Sequence, residues 1–289
     1  MKILFLINPT SGTKTVNHLK EKIEEVVNTD FFTPEIVYTE YRGHAEVLAQ
    51  NAANENYHAV IAVGGDGTVN EVARSLVHTD TALGIIPKGS GNGLARSLNI
   101  PLDIEKAIQR LNENKIDLID AGLANEKHFF CTAGIGFDAE IGKAFEMADS
   151  RGLKTYVSES IKHFFSYEPK HYTILTENGK IETKAFLLTI ANAGQYGNDF
   201  YVSPHAKLSD GLLDLCILKP FALFETLPIG IQFLTKTIDK NKHMSITKVH
   251  SIDIECDNID CYHIDGEFQE LSGNQLRVST LPKCLKVIH

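Results

Sequence analysis

The spacing of apolar and polar positions changes character partway along the 289-residue chain. Ile3 to Ile7 is a continuous apolar run closed by Asn8-Pro9, which predicts a buried strand followed by a turn. Val16, Leu19, Ile23, Val26 and Val27 follow at helical spacing. Glu35 to Tyr38 predicts a second strand, and residues 44–53 a helix. A third apolar run, His58 to Val63, stops at Gly64-Gly65. Val69, Val72, Ala73, Leu76 and Val77 then mark one face of a helix, and Leu83 to Ile86 a fourth strand. Strands alternating with helices predict an α/β N-terminal domain with a mostly parallel sheet. Ligands of such sheets bind beyond the carboxyl ends of the strands, so the loops starting at Asn8, Thr39, Gly64 and Pro87 should gather on one edge.

After about Asp120 the pattern becomes β-like. Residues 171–176 and 181–190 flank Asn178-Gly179, a hairpin signal, and further runs lie at 212–218, 246–255, 261–265 and 275–280. Helical insertions are predicted near 139–148, near 153–165 and near 221–238, the last interrupted or kinked by Pro228. This predicts a largely antiparallel β C-terminal domain, sandwich-like, over residues 123–281. Residues 1–122 are expected to form the α/β domain, with a hinge near 120–125. Cys284 to Ile288 is expected to return to the first domain, which residues 282–289 would then complete.

Charge narrows the function classes. The chain carries 28 Lys and Arg against 37 Asp and Glu, a formal net charge of −9. No nucleic-acid partner is expected, because duplex affinity comes mainly from basic side chains on phosphates. The five cysteines are odd in number and scattered, which argues against a disulfide framework. Cys256, Cys261 and His263 lack the CxxC spacing of a structural zinc site. The N-terminal segment lacks a signal-peptide cleavage pattern. No run reaches the roughly 18 apolar residues of a membrane span. A cytoplasmic protein is expected.

The candidate chemistry lies in glycine-rich loops. Gly64-Gly65-Asp66-Gly67-Thr68 joins a strand end to a helix start. Glycines let the backbone approach a ligand, and a helix N-terminus offers unpaired N–H groups to phosphate. Thr68 is placed to cap that helix or to touch a phosphate. Asp66 is an unfavourable neighbour for bare phosphate unless a cation lies between them, which points to magnesium. Pro87 to Gly93 has three glycines with Ser90 and Asn92, a composition suited to an anion nest. This second loop is neither a Walker A loop nor a dinucleotide fingerprint.

These motifs resemble a known family. NPTSG (8–12), Thr39 with Gly43-His44-Ala45, GGDGTVNEV (64–72) and GSGN (89–92) occur in the order seen in the diacylglycerol-kinase catalytic fold, which sphingosine, ceramide and bacterial lipid kinases share. Gly134, Gly136, Phe137, Asp138, Tyr196-Gly197, Pro204, Ala206, Asp210-Gly211, Leu213-Asp214 and Asp265-Gly266-Glu267 extend the similarity through the second half. The resemblance implies that Thr39, Gly64, Gly65, Asp66, Gly67, Thr68, Asn70 and Ser90 hold ATP, with Asn8 and Asn92 bracing the loops. It implies a magnesium site in the region of Lys207, Asp210 and Leu212, held partly through backbone carbonyls, although many relatives have a second acid where this chain has Ser209. It implies a general base in the Asp265-Gly266-Glu267 turn, with Glu267 favoured over Asp265.

The implied reaction is transfer of the γ-phosphoryl group of ATP, with Mg2+, to the free hydroxyl of a lipid such as diacylglycerol. Asp66, Asp265 and Glu267 are its candidate catalytic acids, and an interdomain cleft is the expected place. Transient contact with the inner membrane face is expected, and a homodimer is compatible with the sequence. Phe129-Phe130, Phe164-Phe165 and Phe221 to Phe233 could form an apolar path. Their spacing favours core faces instead, including Phe221, Phe224, Leu227, Ile231 and Leu234 on a packed helix. The rival readings are an NAD kinase-like or other small-molecule kinase, and a non-catalytic nucleotide- or lipid-binding regulator.

Overall fold

The computed structural model describes residues 1–12, 18–146, 163, 166–257 and 259–289. Val16 of the first helical stripe, the end of the helix expected near 139–148, most of the one expected near 153–165, and Phe164-Phe165 lie outside the described residues. The chain forms two units, Met1–Ile119 with Lys283–His289, and Asp120–Pro282.

In the first unit the strands are β1 (Lys2–Ile7), β2 (Thr33–Tyr38), β3 (Ala59–Gly64) and β4 (Ala82–Pro87). Between and after them come α1 (Leu19–Val26), α2 (His44–Asn54), α3 (Asp66–Leu76), α4 (Gly93–Ser97) and α5 (Ile104–Leu111). The strands lie in the order β2-β1-β3-β4, all parallel, and Val287 from the chain's last strand pairs in parallel with Leu83. Every residue of β3 and β4 is buried. A parallel strand covered on both faces needs an unbroken apolar run, so no alternation is seen in sequence. Val69, Val72, Ala73 and Leu76 form the buried stripe of α3. Ile7 aligns with Tyr38 and with Val63, and Gly64 aligns with Pro87. The loops after all four strands therefore leave from one edge.

The second unit is built almost wholly of antiparallel strands. β5 (Ile116–Ala124) enters it from the first unit and pairs with β6 (Lys127–Phe129) through Gly122 opposite Phe129. β7 (Thr132–Gly136) leads into α6 (Phe137–Glu146), and β8 (Lys170–Thr176), β9 (Gly179–Ala185), β10 (Leu187–Ala191) and β11 (Leu213–Leu218) follow. A 3-10 turn at Leu223–Glu225 leads directly into α7 (Thr226–Leu234). The chain closes with β12 (Met244–Val249), β13 (Ser251–Glu255), β14 (Cys261–Ile264), β15 (Glu267–Glu270) and β16 (Gln275–Ile288). One sheet of this unit runs β12-β11-β10-β7-β14-β15. β9, β8, β13 and the first part of β16 form the facing one. The core between them includes Ile135, Leu188, Ile190, Leu215 and Ile264 from the first sheet and Tyr172, Ile174, Ile254 and Val278 from the second. Alternate residues of the six-stranded sheet, such as Leu187, Cys216 and Leu218, face a second cluster that Ile229 and Phe233 of α7 complete. This is the period-2 rule with both faces buried.

Three details differ from the sequence reading. The run 181–190 is two strands in different sheets, divided at Phe186, whose N–H donates to Leu218 O at 2.8 Å. The run 246–255 likewise divides at His250, whose N–H donates to Glu177 Oε1 at 2.8 Å. Pro228 does not interrupt its helix. It is the third residue of α7, where the missing N–H would have had no intrahelical partner.

Candidate active site

The loop edge of the first unit is held together by backbone contacts that leave no room for side chains. A Cβ on Gly12, where φ is +71°, would lie 2.3 Å from Lys88 O. One on Gly89 would lie 2.6 Å from Gly65 Cα, and one on Gly64 would lie 2.5 Å from Thr68 Oγ1. Three loops therefore close on each other only because these positions are glycine. Side chains fasten them. Asn8 Nδ2 donates to Thr68 Oγ1 at 3.0 Å, and Asn8 Oδ1 accepts from the N–H and hydroxyl of Thr10. Lys88 Nζ donates to Ser11 O at 2.6 Å, and burial lowers its pKa. Asn92 closes its own loop, accepting from Gly89 N and donating to Gly89 O, both at 2.9 Å. The loop after β2 is tied to α3 by Gly43 N–H donating to Glu71 Oε1 at 2.9 Å.

Asp66 turns out to face these amides. Its Oδ2 accepts from Asn92 N at 2.9 Å and its Oδ1 from Gly93 N at 2.7 Å. Burial pushes the carboxyl above its usual range, and the Gly93 and Asn92 N–H groups hold it back. The partner that the sequence reading assigned to a cation is here a pair of backbone N–H groups. With the acid turned aside, the start of α3 presents its first N–H groups and the positive end of an 11-residue helix. Thr68 does not cap this helix; its hydroxyl serves Asn8. Ser90 is exposed at the loop tip, while Thr39 and Asn70 are buried.

In the second unit, Asp265 and Gly266 form the two-residue turn between β14 and β15, both at positive φ (48° and 83°), with Ile264 opposite Glu267. Positive φ at both central positions is the type I′ hairpin turn. The Asp265 carboxylate accepts from Phe130 N at 2.9 Å and from Cys131 N and Thr132 N at 2.8 Å. Burial pushes its pKa up to about 6 against the pull of these donors. With its oxygens engaged on three amides, Asp265 fixes the turn. Glu267, half-buried at the start of β15, is the acid that this turn presents.

A buried polar cluster lies behind β14. Asp138 Oδ2 accepts from Thr189 Oγ1 at 2.7 Å and is 3.0 Å from His263 Nε2 and 3.2 Å from Tyr196 OH. A Cβ on Gly134 would strike Asp138 and His263, so that glycine makes room for the pair. Sequence reasoning singled out Asp138 and Tyr196 within the resemblance but gave neither a task. His263 entered only as a discarded zinc ligand, and all five cysteines are free and buried.

At the implied magnesium site the side chains offer a single carboxylate, so a cation there would rest mainly on backbone carbonyls. Asp210 is the only carboxylate among Lys207, Asp210 and Leu212, and both its oxygens are engaged. Oδ1 accepts from Leu212 N at 3.2 Å, and Oδ2 accepts from Lys248 Nζ at 2.6 Å. Lys248 Nζ is also 3.4 Å from Asp214 Oδ1. Burial lowers the pKa of this ammonium, but Asp210 and Asp214 outweigh it and the net shift is upward. Among the described residues, no three His, Cys, Asp or Glu side chains are grouped to share a metal. Lys248, 38 residues from Asp210, had no sequence signal.

An α/β unit with a parallel sheet, followed by an antiparallel β-sandwich unit, is the architecture of the kinases built on the NAD kinase and diacylglycerol kinase fold. The crystal structure of a diacylglycerol kinase from Bacillus anthracis matches it with a TM-score of 0.76, covering 100% of this chain and 96% of that one at 23% identity. An NAD kinase from Archaeoglobus fulgidus, solved in complex with ATP, matches with a TM-score of 0.57 at 11% identity, covering 100% and 94%. Those identities speak to the fold. In sequence, residues 2–124 match the diacylglycerol kinase catalytic domain, and residues 131–289 match the YegS C-terminal NAD kinase beta sandwich-like domain. The diacylglycerol kinase of Bacillus subtilis is 30% identical over 272 residues, 91% of this chain and 88% of the relative. The chain belongs to this family of lipid kinases.

Proposed function

We propose that the chain transfers the γ-phosphoryl group of ATP to the hydroxyl of a lipid, a diacylglycerol-like alcohol fitting best. The observation that carries this reading is the glycine-closed loop edge at the start of α3. It offers backbone N–H groups and a helix N-terminus to a polyphosphate, with its one acid turned away. Phosphoryl transfer needs alignment and charge stabilisation more than covalent chemistry. In this reading Gly64 to Thr68 and Ser90 hold the phosphates, Asn8 and Asn92 keep the loops in place, and Asp66 braces the GSGN loop. Magnesium enters with the nucleotide as MgATP and is not assigned to a protein site. Glu267 takes the proton of the lipid hydroxyl as its oxygen attacks the γ-phosphorus. The bond to the β,γ-bridging oxygen breaks and ADP leaves. Asp265 sets the position of Glu267 by holding the turn.

The test is a radiolabelled-ATP reaction with a total lipid extract, with the product identified by mass spectrometry. Label appearing in a phosphorylated glycerolipid is the expected result. Label transferred to NAD and not to lipid would favour the NAD kinase-like reading. Tight ATP binding with no transfer to any acceptor would favour a regulator.

A further inference from the structure

The 3-10 turn at Leu223–Glu225 and helix α7 carry an apolar face that the protein leaves uncovered. Ile229 and Phe233 are buried against Phe186, Leu218 and Met244. Of the residues that the helical spacing assigned to the core, Phe221 packs on Phe186, but Phe224, Leu227, Ile231 and Leu234 point the other way. Phe224 is 82% exposed, Leu227 74%, Leu223 62%, Leu234 56% and Ile231 51%. Residues 224, 227, 231 and 234 follow the spacing of a single helix face, and Thr226–Leu234 contains no charged residue. A contiguous stripe of five large apolar side chains differs from the scattered exposed leucines of an ordinary surface.

The stripe is firmly mounted. Phe233 stacks on Phe200 with ring centroids 4.6 Å apart. Glu225, between Phe224 and α7, accepts from Ala222 N at 3.0 Å and from Lys242 Nζ at 2.8 Å, and pairs with His243 at 3.2 Å. The surrounding charge is net positive. Lys219 precedes the stripe, and Lys236, Lys240 and Lys242 follow it. Lys219 N–H donates to His243 O, which brings Lys219 beside Lys242. The two acids of this segment, Glu225 and Asp239, are paired with Lys242 and His243, and with His205. Between Lys219 and His243 there are four lysines and two acids, in a chain whose net charge is −9.

We propose that this face docks on an anionic lipid bilayer, with Phe224 and Leu227 entering the acyl boundary and the lysines meeting lipid headgroup phosphates. An apolar helix face bordered by lysines is the chemistry of an interfacial helix. A second copy fits less well. A symmetric dimer through this face would bring like lysines together, and a nine-residue helix offers far less than the roughly 800 Å² per partner of a stable interface. The assignment rests on the lipid-kinase reading for its purpose, delivery of the protein to a membrane-borne hydroxyl, and it names the surface that does so.

The chain has no tryptophan, so Phe224→Trp supplies a single reporter at a position where packing tolerates it. The probe is phosphatidylglycerol/phosphatidylcholine vesicles without ATP or acceptor lipid, set against vesicles of phosphatidylcholine alone. The anionic vesicles should blue-shift the emission, brominated acyl chains should quench it, and salt should weaken binding. In flotation of the otherwise unaltered chain, Phe224→Ser/Leu227→Ser should reduce vesicle binding by about tenfold or more. That pair should leave transfer to a water-soluble short-chain diacylglycerol unchanged. Emission unmoved by vesicles, serine variants that float as the parent does, or a dimer that the serine variants dissociate would overturn the proposal. Loss of vesicle binding with turnover of the soluble acceptor intact separates this surface from the kinase reading. Absence of turnover in the parent counts against the kinase reading alone.

Discussion

The loop edge of the first unit and the acid-bearing turn of the second are built in opposite ways. At the loop edge the backbone is the proposed working surface, and side chains serve to hold backbone in place: Asn8 and Lys88 bond to neighbouring loops, Asn92 closes its own, and Asp66 is spent on two amides. At the β14–β15 turn the backbone is the mount, and one carboxylate is the proposed working group. Asp265 bonds three amides more than 130 residues away, so that Glu267 has a fixed place. The difference teaches that buried acids of one charge can serve as braces for backbone rather than as reacting groups. Asp66 and Asp265 each hold backbone amides in place.

The sharpest way to break this contrast is to remove a brace. Asp265→Ala leaves three amide N–H groups without their acceptor, and at least about 3 kcal/mol of stability should be lost, because each buried unpaired donor costs about 1–3 kcal/mol. Chemical denaturation measures it, and a loss within error would mean that the turn is held elsewhere. Next in size is Gly89→Ala, whose Cβ would strike Gly65 Cα. Forcing the loops apart should cost about 1–3 kcal/mol, and calorimetry should show ATP affinity falling with it. Unchanged ATP affinity would detach the loop edge from nucleotide binding. Asp66→Asn keeps one acceptor for two N–H donors, so about 1 kcal/mol is expected in a thermal melt.

The same brace also sets a pH slope. The Asp265 pKa of about 6 lies above the unfolded value near 4. Between those values the folded protein holds a proton that the unfolded chain has released. This contribution to stability is fully present below about pH 4 and is lost as pH rises through about 6. Asp265→Asn should remove that part of the slope, and identical pH profiles for parent and variant would place the titration on another group.

How much of this the sequence revealed follows from range. The buried strands of the first unit and its glycine loops were legible because their causes are local: both faces covered, and no room for Cβ. The breaks at Phe186 and His250 were not, because neither run carries a Gly, Pro or Asn turn signal where the chain passes from one sheet to the other. Helical spacing located the segment 221–238 but not its outward side. Phe224 and Leu227 read as core although Ile229 and Phe233 are what α7 buries. The bond from Lys248 to Asp210 and those from Asp265 to residues 130–132 depend on the assembled sandwich and leave no periodic trace.

The most direct test of the central division between bracing and reacting acids is Glu267→Gln, assayed in parallel for ATP binding, melting temperature and turnover of a diacylglycerol. The account predicts nucleotide affinity and melting temperature close to the parent, with kcat lower by about 10²–10⁴, the usual worth of a positioned general base. Turnover near the parent value, or loss of ATP binding together with activity, would contradict it.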